Sequence, residues 1–210
     1  SYFHVSLTNM KINEGARRIY RKSARAESER ATGDAILNAA RDAFTSEAFD
    51  RVTLKQIAEQ SGVTVQTVVR RFRSKEGVFQ AFVERERPRI LAARQSDPED
   101  GLRAAIEKLV DHYEKDGELI FNFTAQEQRF EAIAEIVAEG RSTHRRWVQT
   151  HCAHILAAAK DHEQECICAA AFAATDLGTG KLLRRDLDHS REDVIAIMSR
   201  LITGLERGTS

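Results

Sequence analysis

The stretch from Arg51 to Phe79 reads RVTLKQIAEQSGVTVQTVVRRFRSKEGVF, and it decides the fold of the first half of the chain. Thr53, with a glutamine three residues later, has the capping pattern with which helices begin. Gly62 suits the left-handed turn that ends such a helix. Thr64 can cap a second helix, and Ser74 can cap a third. The pattern therefore predicts two short helices with a tight turn between them, followed by the start of another helix.

Each of the two short helices has an apolar face. In the first helix, three apolar residues recur at helical spacing: Leu54, Ile57 and Ala58. In the second helix, three residues are expected to point inward: Val68, Val69 and Phe72. The other positions of the second helix are largely free and end in a basic turn. This arrangement is typical of a helix-turn-helix whose second helix enters the DNA major groove.

The same stretch resembles the DNA-binding domain of the tetracycline-repressor-like (TetR) family of bacterial transcription regulators. The matching residues are Thr53 to Ala58, Gly62 to Thr64, Thr67, Val68, Phe72 and Ser74 to Phe79. The resemblance is strong over residues 30–85 and loose beyond them. Val69 stands where the family commonly has Tyr, and Arg71 where it often has His or Tyr. Because that Tyr usually contacts phosphate in the family, we expect Arg71 to supply the contact here.

The candidates for contact with base edges lie on the second helix: Val65, Gln66, Thr67 and Arg70. Gln suits adenine, Arg suits guanine, and the methyl groups of Val and Thr can meet the thymine methyl. A second set of residues is expected to contact phosphates: Thr32, Thr53, Thr64, Arg71 and Lys75. Thr32 belongs to this set because it lies near the predicted start of the first helix, and helix N-termini attract anions.

Charge divides the chain into two halves, although its formal net charge is zero. Residues 1–90 contain 17 Lys and Arg against 11 Asp and Glu, whereas residues 91–210 contain 15 against 21. A basic half followed by an acidic half fits one part that binds nucleic acid and one that does not. We find no secretory signal and no apolar run near the roughly 18 residues of a membrane span, so we expect a cytoplasmic protein without a membrane partner.

Helical periodicity continues along the chain, and we see no strand pattern and no internal repeat. We predict an all-α fold of about nine helices in three parts. These parts are a basic N-terminal arm over residues 1–29, a three-helix helix-turn-helix domain over residues 30–76, and a helical ligand-binding and dimerisation domain over residues 77–210. Residues 1–9 are expected to be irregular, and the rest of the arm can either follow phosphates or form a solvated tail.

The expected helix boundaries follow from caps and glycines. We predict the first core helix over residues 31–48, helix ends at Gly117 and Gly140, and a continuous helix over residues 163–185. Asp97 and Pro98 form a helix start, and Ser190 caps the last helix.

Residues 163–185 and 190–206 are the predicted dimer interface. The first of these helices is rich in alanine and glycine, which lets helices approach closely, and the second is apolar over a wide arc. Two such helices from each of two chains can form a four-helix bundle. The resemblance implies the same, because TetR-like proteins dimerise through their last two main helices. A dimer presents two recognition helices, so we expect a palindromic double-stranded DNA operator.

The resemblance further implies a ligand pocket in the second half of the chain. The candidate lining residues are Tyr113, Phe121, Phe123, Phe130, Trp147 and His151. This mix of aromatic and polar groups suits a small, mostly apolar effector, although each residue singly is also an ordinary core residue. A metal is a further alternative, because three histidines could share one helical face: His144, His151 and His154. No zinc spacing accompanies them, and we expect neither a metal nor a cofactor.

The predicted function is a sequence-specific, DNA-binding transcription regulator, in particular a repressor released by a small ligand. Two alternatives stay open: a non-specific architectural DNA-binding protein, and a small helical enzyme. The only nucleophile-like pair is His151 and Cys152, and neighbours in a helix point about 100° apart. The other cysteines, Cys166 and Cys168, have no framework spacing and are expected to be free thiols.

Overall fold

The computed structural model describes residues 3–207, with side chains described for residues 20–206. The described residues form α-helices and contain no strand, as the sequence predicts. The helices are α1 (Phe3–Ser46), α2 (Leu54–Gln60), α3 (Val65–Phe72), α4 (Lys75–Ala93), α5 (Gly101–Thr124), α6 (Glu131–His151), α7 (Ala153–Ala158), α8 (Asp161–Thr175), α9 (Leu177–Lys181) and α10 (Arg191–Arg207). A 3-10 turn (Pro98–Asp100) precedes α5, and a π-helical turn (Leu182–Asp186) follows α9.

Two compact units make up the chain. The first comprises the chain up to Ala43 together with Asp50–Phe82, and the second comprises Phe44–Phe49 together with the chain from Val83 onward. The first unit buries apolar residues of α1 to α4 and of the loop between α1 and α2: Ile36, Ala40, Val52, Ile57, Val68, Val78, Phe79 and Phe82. The second unit has its core among α5, α6, α7, α8 and α10: Ile106, Leu109, Trp147, Ile155, Ala171, Ile195, Met198 and Ile202.

The first helix is longer than the sequence pattern predicts. It begins at Phe3 rather than near residue 31, so the predicted basic arm and most of the predicted irregular segment are helical; residues 1 and 2 lie outside the described residues. The helix ends at Ser46, two residues before the predicted end. The boundaries predicted at residues 29/30 and 76/77 therefore fall inside α1 and α4.

Three helix boundaries predicted in the second half were wrong. Helix α5 continues through Gly117, which is buried and whose missing side chain admits Leu177; a Cβ there would lie 3.3 Å from the Leu177 Cδ1. Helix α6 continues through Gly140, where a Cβ would meet no atom within 4 Å. The predicted helix over residues 163–185 is instead interrupted at Asp176, which caps α9 by accepting from the Gly178 N–H at 2.7 Å.

Two amide side chains, Asn122 on α5 and Gln126 just after it, hold the end of α1 and the loop that follows. The Asn122 Nδ2 donates to the carbonyl oxygens of Phe44 at 2.8 Å and Glu47 at 2.6 Å. The Gln126 side chain accepts from the Phe49 N–H at 2.7 Å and donates to Asn122 at 2.8 Å. These bonds satisfy backbone groups that the end of a helix leaves without intrahelical partners.

Contrary to the expectation from the sequence, one stretch of the described chain is long and apolar enough to cross a membrane by length and composition. It covers Asp161–Asp186 with a mean hydropathy of 1.3. The structure interrupts this stretch at Asp176, and Cys168 and Ala171 within it are buried in the core of the second unit. Because core helices pass the same test, the stretch is weak evidence for a membrane span.

Candidate functional site

The helix-turn-helix in the first unit has the predicted caps. The Thr53 hydroxyl accepts from the backbone N–H of Gln56 at 3.1 Å, and the Thr64 hydroxyl accepts from that of Thr67 at 3.2 Å. Gly62 has a φ of 68°, which confirms the left-handed turn between α2 and α3. Ser74 begins α4 as predicted, by accepting from the backbone N–H of Gly77 at 3.2 Å. Each boundary of this motif therefore rests on a local hydrogen bond or a glycine.

Helix α3 buries one residue and exposes a row of others. Val68 is fully buried, and the predicted inward position of Phe72 is partly buried. The inward prediction for Val69 was wrong, because its side chain is 42% exposed. An exposed Val69 widens the accessible face of α3, on which Val65 is 40% exposed and Gln66 and Arg70 are also exposed. Thr67 is half-buried, and its hydroxyl lies 3.0 Å from that of Thr64.

The residues proposed for phosphate contact are placed differently from one another. Thr53 and Thr64 are exposed at the N-termini of α2 and α3. The Lys75 Nζ lies 3.5 Å from the Asp50 carbonyl oxygen. The reason given for Thr32 was wrong: it lies in the interior of α1, and its hydroxyl donates to the Ser28 carbonyl at 2.9 Å. Thr32 therefore has no helix N-terminus with which to attract an anion.

Arg71 packs against a glycine of α1. A Cβ on Gly33 would lie 2.8 Å from the Arg71 Cζ, so the guanidinium occupies the space that a side chain at Gly33 would fill. Arg71 is nevertheless exposed. The glycine thus lets the guanidinium of Arg71, in the last turn of α3, lie against the backbone of α1.

A strained turn connects α3 to α4. Arg73 has φ 71° and ψ −48°, and the Ser74 N–H donates to the Phe72 carbonyl at 2.9 Å. These values define a three-residue γ-turn of the classic, rarely observed type. Its positive φ is strained for any residue other than glycine. Gly77 lies directly against it, because a Cβ at that position would overlap the same Phe72 carbonyl oxygen.

The second unit contains a cavity of about 730 Å³. Its wall is formed by residues of α4, α5, α6, α8 and α9, and it is mostly apolar, with Ile90, Leu119, Phe123, Val137 and Phe172 among its members. Leu91, Glu139 and Gly140 in the wall are solvent-exposed, so the cavity is open on that side. Its volume is that of sites that hold small organic ligands.

Three of the six predicted pocket residues line this cavity, namely Tyr113, Phe121 and Phe123. The other three are not part of its wall. Phe130 packs against Phe49, with ring centroids 5.2 Å apart. Trp147 is buried in the core, and the His151 Nε2 lies 3.0 Å from the Ser96 hydroxyl.

A polar cluster that the sequence analysis did not assign to the pocket lies in the cavity wall. The Arg94 Nη2 donates to the His144 Nδ1 at 3.0 Å, and the His144 Nε2 lies 3.1 Å from the Thr175 hydroxyl. The Thr175 hydroxyl in turn donates to the Ala171 carbonyl at 2.8 Å. Since the arginine only donates, His144 must accept at Nδ1 and carry its proton at Nε2. Burial, together with the nearby Arg94 charge, lowers the pKa of His144 to about 3, so the ring is neutral.

Tyr113 extends this cluster. Its hydroxyl donates to the Thr175 carbonyl at 2.8 Å, and burial raises the pKa of the phenol, which keeps it protonated. The Arg94 Nε has no hydrogen-bond partner among the described residues, and burial lowers the pKa of the guanidinium.

A second polar group lies beside the first. The buried Asp116 carboxylate accepts two bonds from Arg89, at 2.8 and 3.1 Å, and lies 3.1 Å from the Nδ1 of the buried His112. Arg89 also donates to Glu86 at 2.9 Å. The His112 Nε2 has no hydrogen-bond partner within the described part of the chain, although His112 belongs to the cavity wall.

The three histidines of the metal alternative lie on two different helices. His144 and His151 lie on α6 but His154 lies on α7, where it contacts Glu206 at 2.9 Å, so the idea of one shared helical face was wrong. Over the residues with described side chains, no group of three or more His, Cys, Asp or Glu is placed to hold a metal ion.

Burial raises the pKa of Cys152 to about 11, which keeps the thiol protonated and a weak nucleophile.

The described residues form a helical protein with a helix-turn-helix in the first unit and a cavity in the second unit. Residues 36–82 match the family model of the bacterial regulatory proteins of the tetR family. Residues 36–82 thus carry a DNA-binding domain of the tetR-family type, as the helix-turn-helix residues indicated.

Solved structures of such regulators share the fold. A TetR-like transcriptional regulator from Rhodococcus sp. RHA1 is similar with a TM-score of 0.64 and 19% identity, over 82% of this chain and 93% of that one. The Salmonella enterica GusR is similar with a TM-score of 0.59 and 20% identity, over 84% and 95%. The fatty acid degradation regulator FadR from Bacillus halodurans is similar with a TM-score of 0.57 and 14% identity, over 81% and 94%. None of the curated protein sequences compared with the chain matches it.

Proposed function

We propose that the protein is a sequence-specific, DNA-binding repressor that a small, mostly apolar ligand releases from its operator. The observation that carries this proposal is the exposed face of α3, where Val65, Gln66 and Arg70 are accessible and the last turn is basic. Those side chains present an apolar group, an amide and a guanidinium, which can distinguish thymine, adenine and guanine in the major groove. The cytoplasm is the compartment in which such a protein meets DNA.

Phosphate contacts on both sides of α3 support the same function. Thr53 and Thr64 present hydroxyls at helix N-termini, and Arg71 and Lys75 present cations. Thr32 is a weaker candidate, since its hydroxyl is bonded within α1. Phosphate contacts fix the register of the motif on DNA but act on every sequence alike. The two sets of residues therefore predict two different kinds of mutational effect.

Release by a ligand rests on the cavity in the second unit. Helix α4 carries core residues of the first unit, such as Phe79, and cavity residues of the second unit, such as Ile90. A ligand that prefers one arrangement of α4 shifts the protein toward that arrangement by the difference between its two affinities. The FadR of the comparison is a fatty acid degradation regulator by its description, which supports an apolar effector.

Dimerisation supplies the second recognition helix. We propose an interface over residues 163–185 and 190–206, because Leu182 and Leu201 are 48% and 47% exposed there. One of the small residues packs within its own chain and not at the interface: a Cβ at Gly180 would lie 3.2 Å from the Tyr113 ring. Light scattering is expected to give a dimer for the wild-type protein at micromolar concentration and a monomer for Leu201→Glu. A wild-type monomer would contradict the interface.

Arg70→Ala and Lys75→Ala separate base reading from phosphate binding. Affinity is measured by fluorescence anisotropy on a selected operator and on scrambled DNA of equal length. Arg70→Ala should weaken operator binding by about 10- to 100-fold and scarcely affect scrambled DNA. Lys75→Ala should weaken both by the same factor and reduce the salt dependence. Equal losses on both DNAs for Arg70→Ala would refute its assignment and favour the architectural alternative.

A further inference from the structure

Arg94 is a cation without an anion in the cavity wall. Its Nη2 is bonded to His144, which is neutral, and its Nε has no hydrogen-bond partner among the described residues. No described carboxylate forms an ion pair with it. A partly desolvated charge of this kind is unfavourable until an opposite charge meets it.

The other charged groups of the wall are already engaged. Arg87 is paired with Glu139 at 2.9 Å. Arg141 is paired with Glu127 at 2.6 Å, which lies outside the wall. Glu86 is paired with Arg85 and Arg89, and Asp176 caps α9. Within the described wall, Arg94 is therefore the cation that has no carboxylate partner.

The neighbours of Arg94 keep its charge available to a ligand. His144 accepts from the guanidinium and orients it without neutralising it, and the bond from Thr175 to Ala171 fixes the His144 tautomer. The Tyr113 hydroxyl is turned toward the Thr175 carbonyl and offers no negative charge. Beyond this polar group the wall is apolar, with Ile90, Leu119, Phe123, Val137 and Phe172 among its members.

We propose that the cavity binds an apolar molecule with a single carboxylate, and that Arg94 is the counter-ion of that carboxylate. The aliphatic or aromatic body of the ligand lies against the apolar wall, and its carboxylate accepts hydrogen bonds from the Arg94 guanidinium, since Arg94 belongs to the cavity wall. Charge-assisted bonds of this kind are the strong ones, and they strengthen where water is excluded. The proposal rests on the ligand response proposed above and names the chemical class of the ligand.

The nearby His112 also belongs to the cavity wall. Its Nδ1 faces the ionised Asp116, which fixes the proton there and leaves the Nε2 lone pair without a donor among the described residues. The carboxylate itself belongs at Arg94, because Arg94 has no carboxylate partner among the described residues, whereas the Asp116 carboxylate already lies 3.1 Å from the His112 Nδ1.

The test measures binding of matched ten-carbon probes to the full chain without DNA, by isothermal titration calorimetry at pH 7.5. The probes are decanoate, 1-decanol and decyltrimethylammonium, which share the chain and differ in charge. Wild-type protein should bind decanoate at least about tenfold more tightly than 1-decanol and should bind the cation most weakly. This comparison requires no variant.

Two variants locate the effect. Arg94→Met should weaken decanoate binding by about tenfold or more and leave 1-decanol binding within about twofold of the wild type. The matched control is the double variant Arg87→Met with Glu139→Gln, which removes a whole ion pair from the same wall and should retain the preference for decanoate. Circular dichroism melting establishes that each variant is folded.

Each remaining outcome overturns the proposal. Equal affinity of the wild type for decanoate and 1-decanol, binding of neither, or equal weakening of both by Arg94→Met would show that Arg94 does not hold a carboxylate. The proposed function is tested separately by adding decanoate to the protein–operator complex. If decanoate binds but does not release the DNA, the carboxylate site is supported and ligand-controlled repression is contradicted. If 1-decanol alone releases the DNA, ligand-controlled repression is supported and the carboxylate site is contradicted.

Discussion

Protonation of His144 should make the protein lose stability between pH 7.5 and pH 5. The ring is buried between Trp147 on α6, Phe172 and Thr175 on α8, and Arg94 in the turn after α4, and its pKa in the folded state is about 3. In the unfolded chain the pKa of histidine is about 6.5, so the unfolded state gains a proton in this range and the folded state does not. The contribution of His144 to the free energy of unfolding is therefore fully present above pH 6.5 and is lost as the pH falls toward 3.

The expected loss follows from the two pKa values. Linkage gives a decrease of about 2 kcal/mol in the free energy of unfolding between pH 7.5 and pH 5. The assay is urea unfolding followed by the fluorescence of Trp147, the only tryptophan of the chain, whose ring lies 5.8 Å from that of His144.

Variants isolate this contribution from the other groups that titrate. His144→Gln should lower the stability at pH 7.5, because buried bonds are lost, but should reduce the drop between pH 7.5 and pH 5 by about 2 kcal/mol relative to the wild type. The pKa of His151 is also lowered by burial, and its contribution is common to both proteins. His162→Gln, at an exposed position, is the control and should keep the wild-type drop. If His144→Gln loses as much stability between pH 7.5 and pH 5 as the wild type does, the assignment of His144 as a buried, neutral imidazole is refuted.

Four further substitutions test the backbone and the Asn122 amide by urea unfolding monitored by circular dichroism. Gly77→Ala should cost about 1–3 kcal/mol, because the new Cβ would overlap the Phe72 carbonyl oxygen. The same change at Gly140, where space is open, should stabilise the protein by about 0.5–1 kcal/mol, and equal effects at the two glycines would contradict the packing. Arg73→Gly should stabilise by about 1 kcal/mol by relieving the positive φ, and a loss of stability would argue against the γ-turn. Asn122→Ala should cost about 1–3 kcal/mol by removing the bonds to the carbonyls that follow α1, and a neutral result would mean that these bonds do not form in solution.

The DNA-binding motif could be predicted from sequence because its determinants are local. Thr53, Thr64 and Ser74 each cap a helix by bonding to a backbone N–H within three residues, and Gly62 supplies the turn. Such signals are contained in a few consecutive residues and need no knowledge of the tertiary fold.

Helix ends in the second half could not be predicted, because tertiary packing decided them. A glycine in a helix costs only about 1 kcal/mol relative to alanine, which packing readily offsets. At Gly117 the missing side chain admits Leu177 from a distant part of the chain. At Asp176 the side chain caps a new helix, although no glycine or proline marks the preceding residues.

The polar cluster in the cavity was missed for a similar reason. Aromatic residues predict a pocket, but Trp147 lies in the core of the second unit instead. The available signal was polar residues on an apolar stripe: His112 and Asp116 follow Leu109 at helical spacing on α5, and all three are buried. Arg94 carried no comparable signal, because its pairing with His144 joins residues 50 positions apart.

The central claim is that a dimer recognises a specific DNA sequence through the α3 helix of each chain. Selection of bound sites from random DNA tests this claim most directly. The selection uses the full chain at about 150 mM salt, where non-specific phosphate binding is weakened. We predict a palindromic motif whose half-sites lie about one helical turn, or a multiple of it, apart, with preferences that change when Gln66 or Arg70 is replaced. Enrichment of no motif, with binding that depends only on salt, would contradict the account.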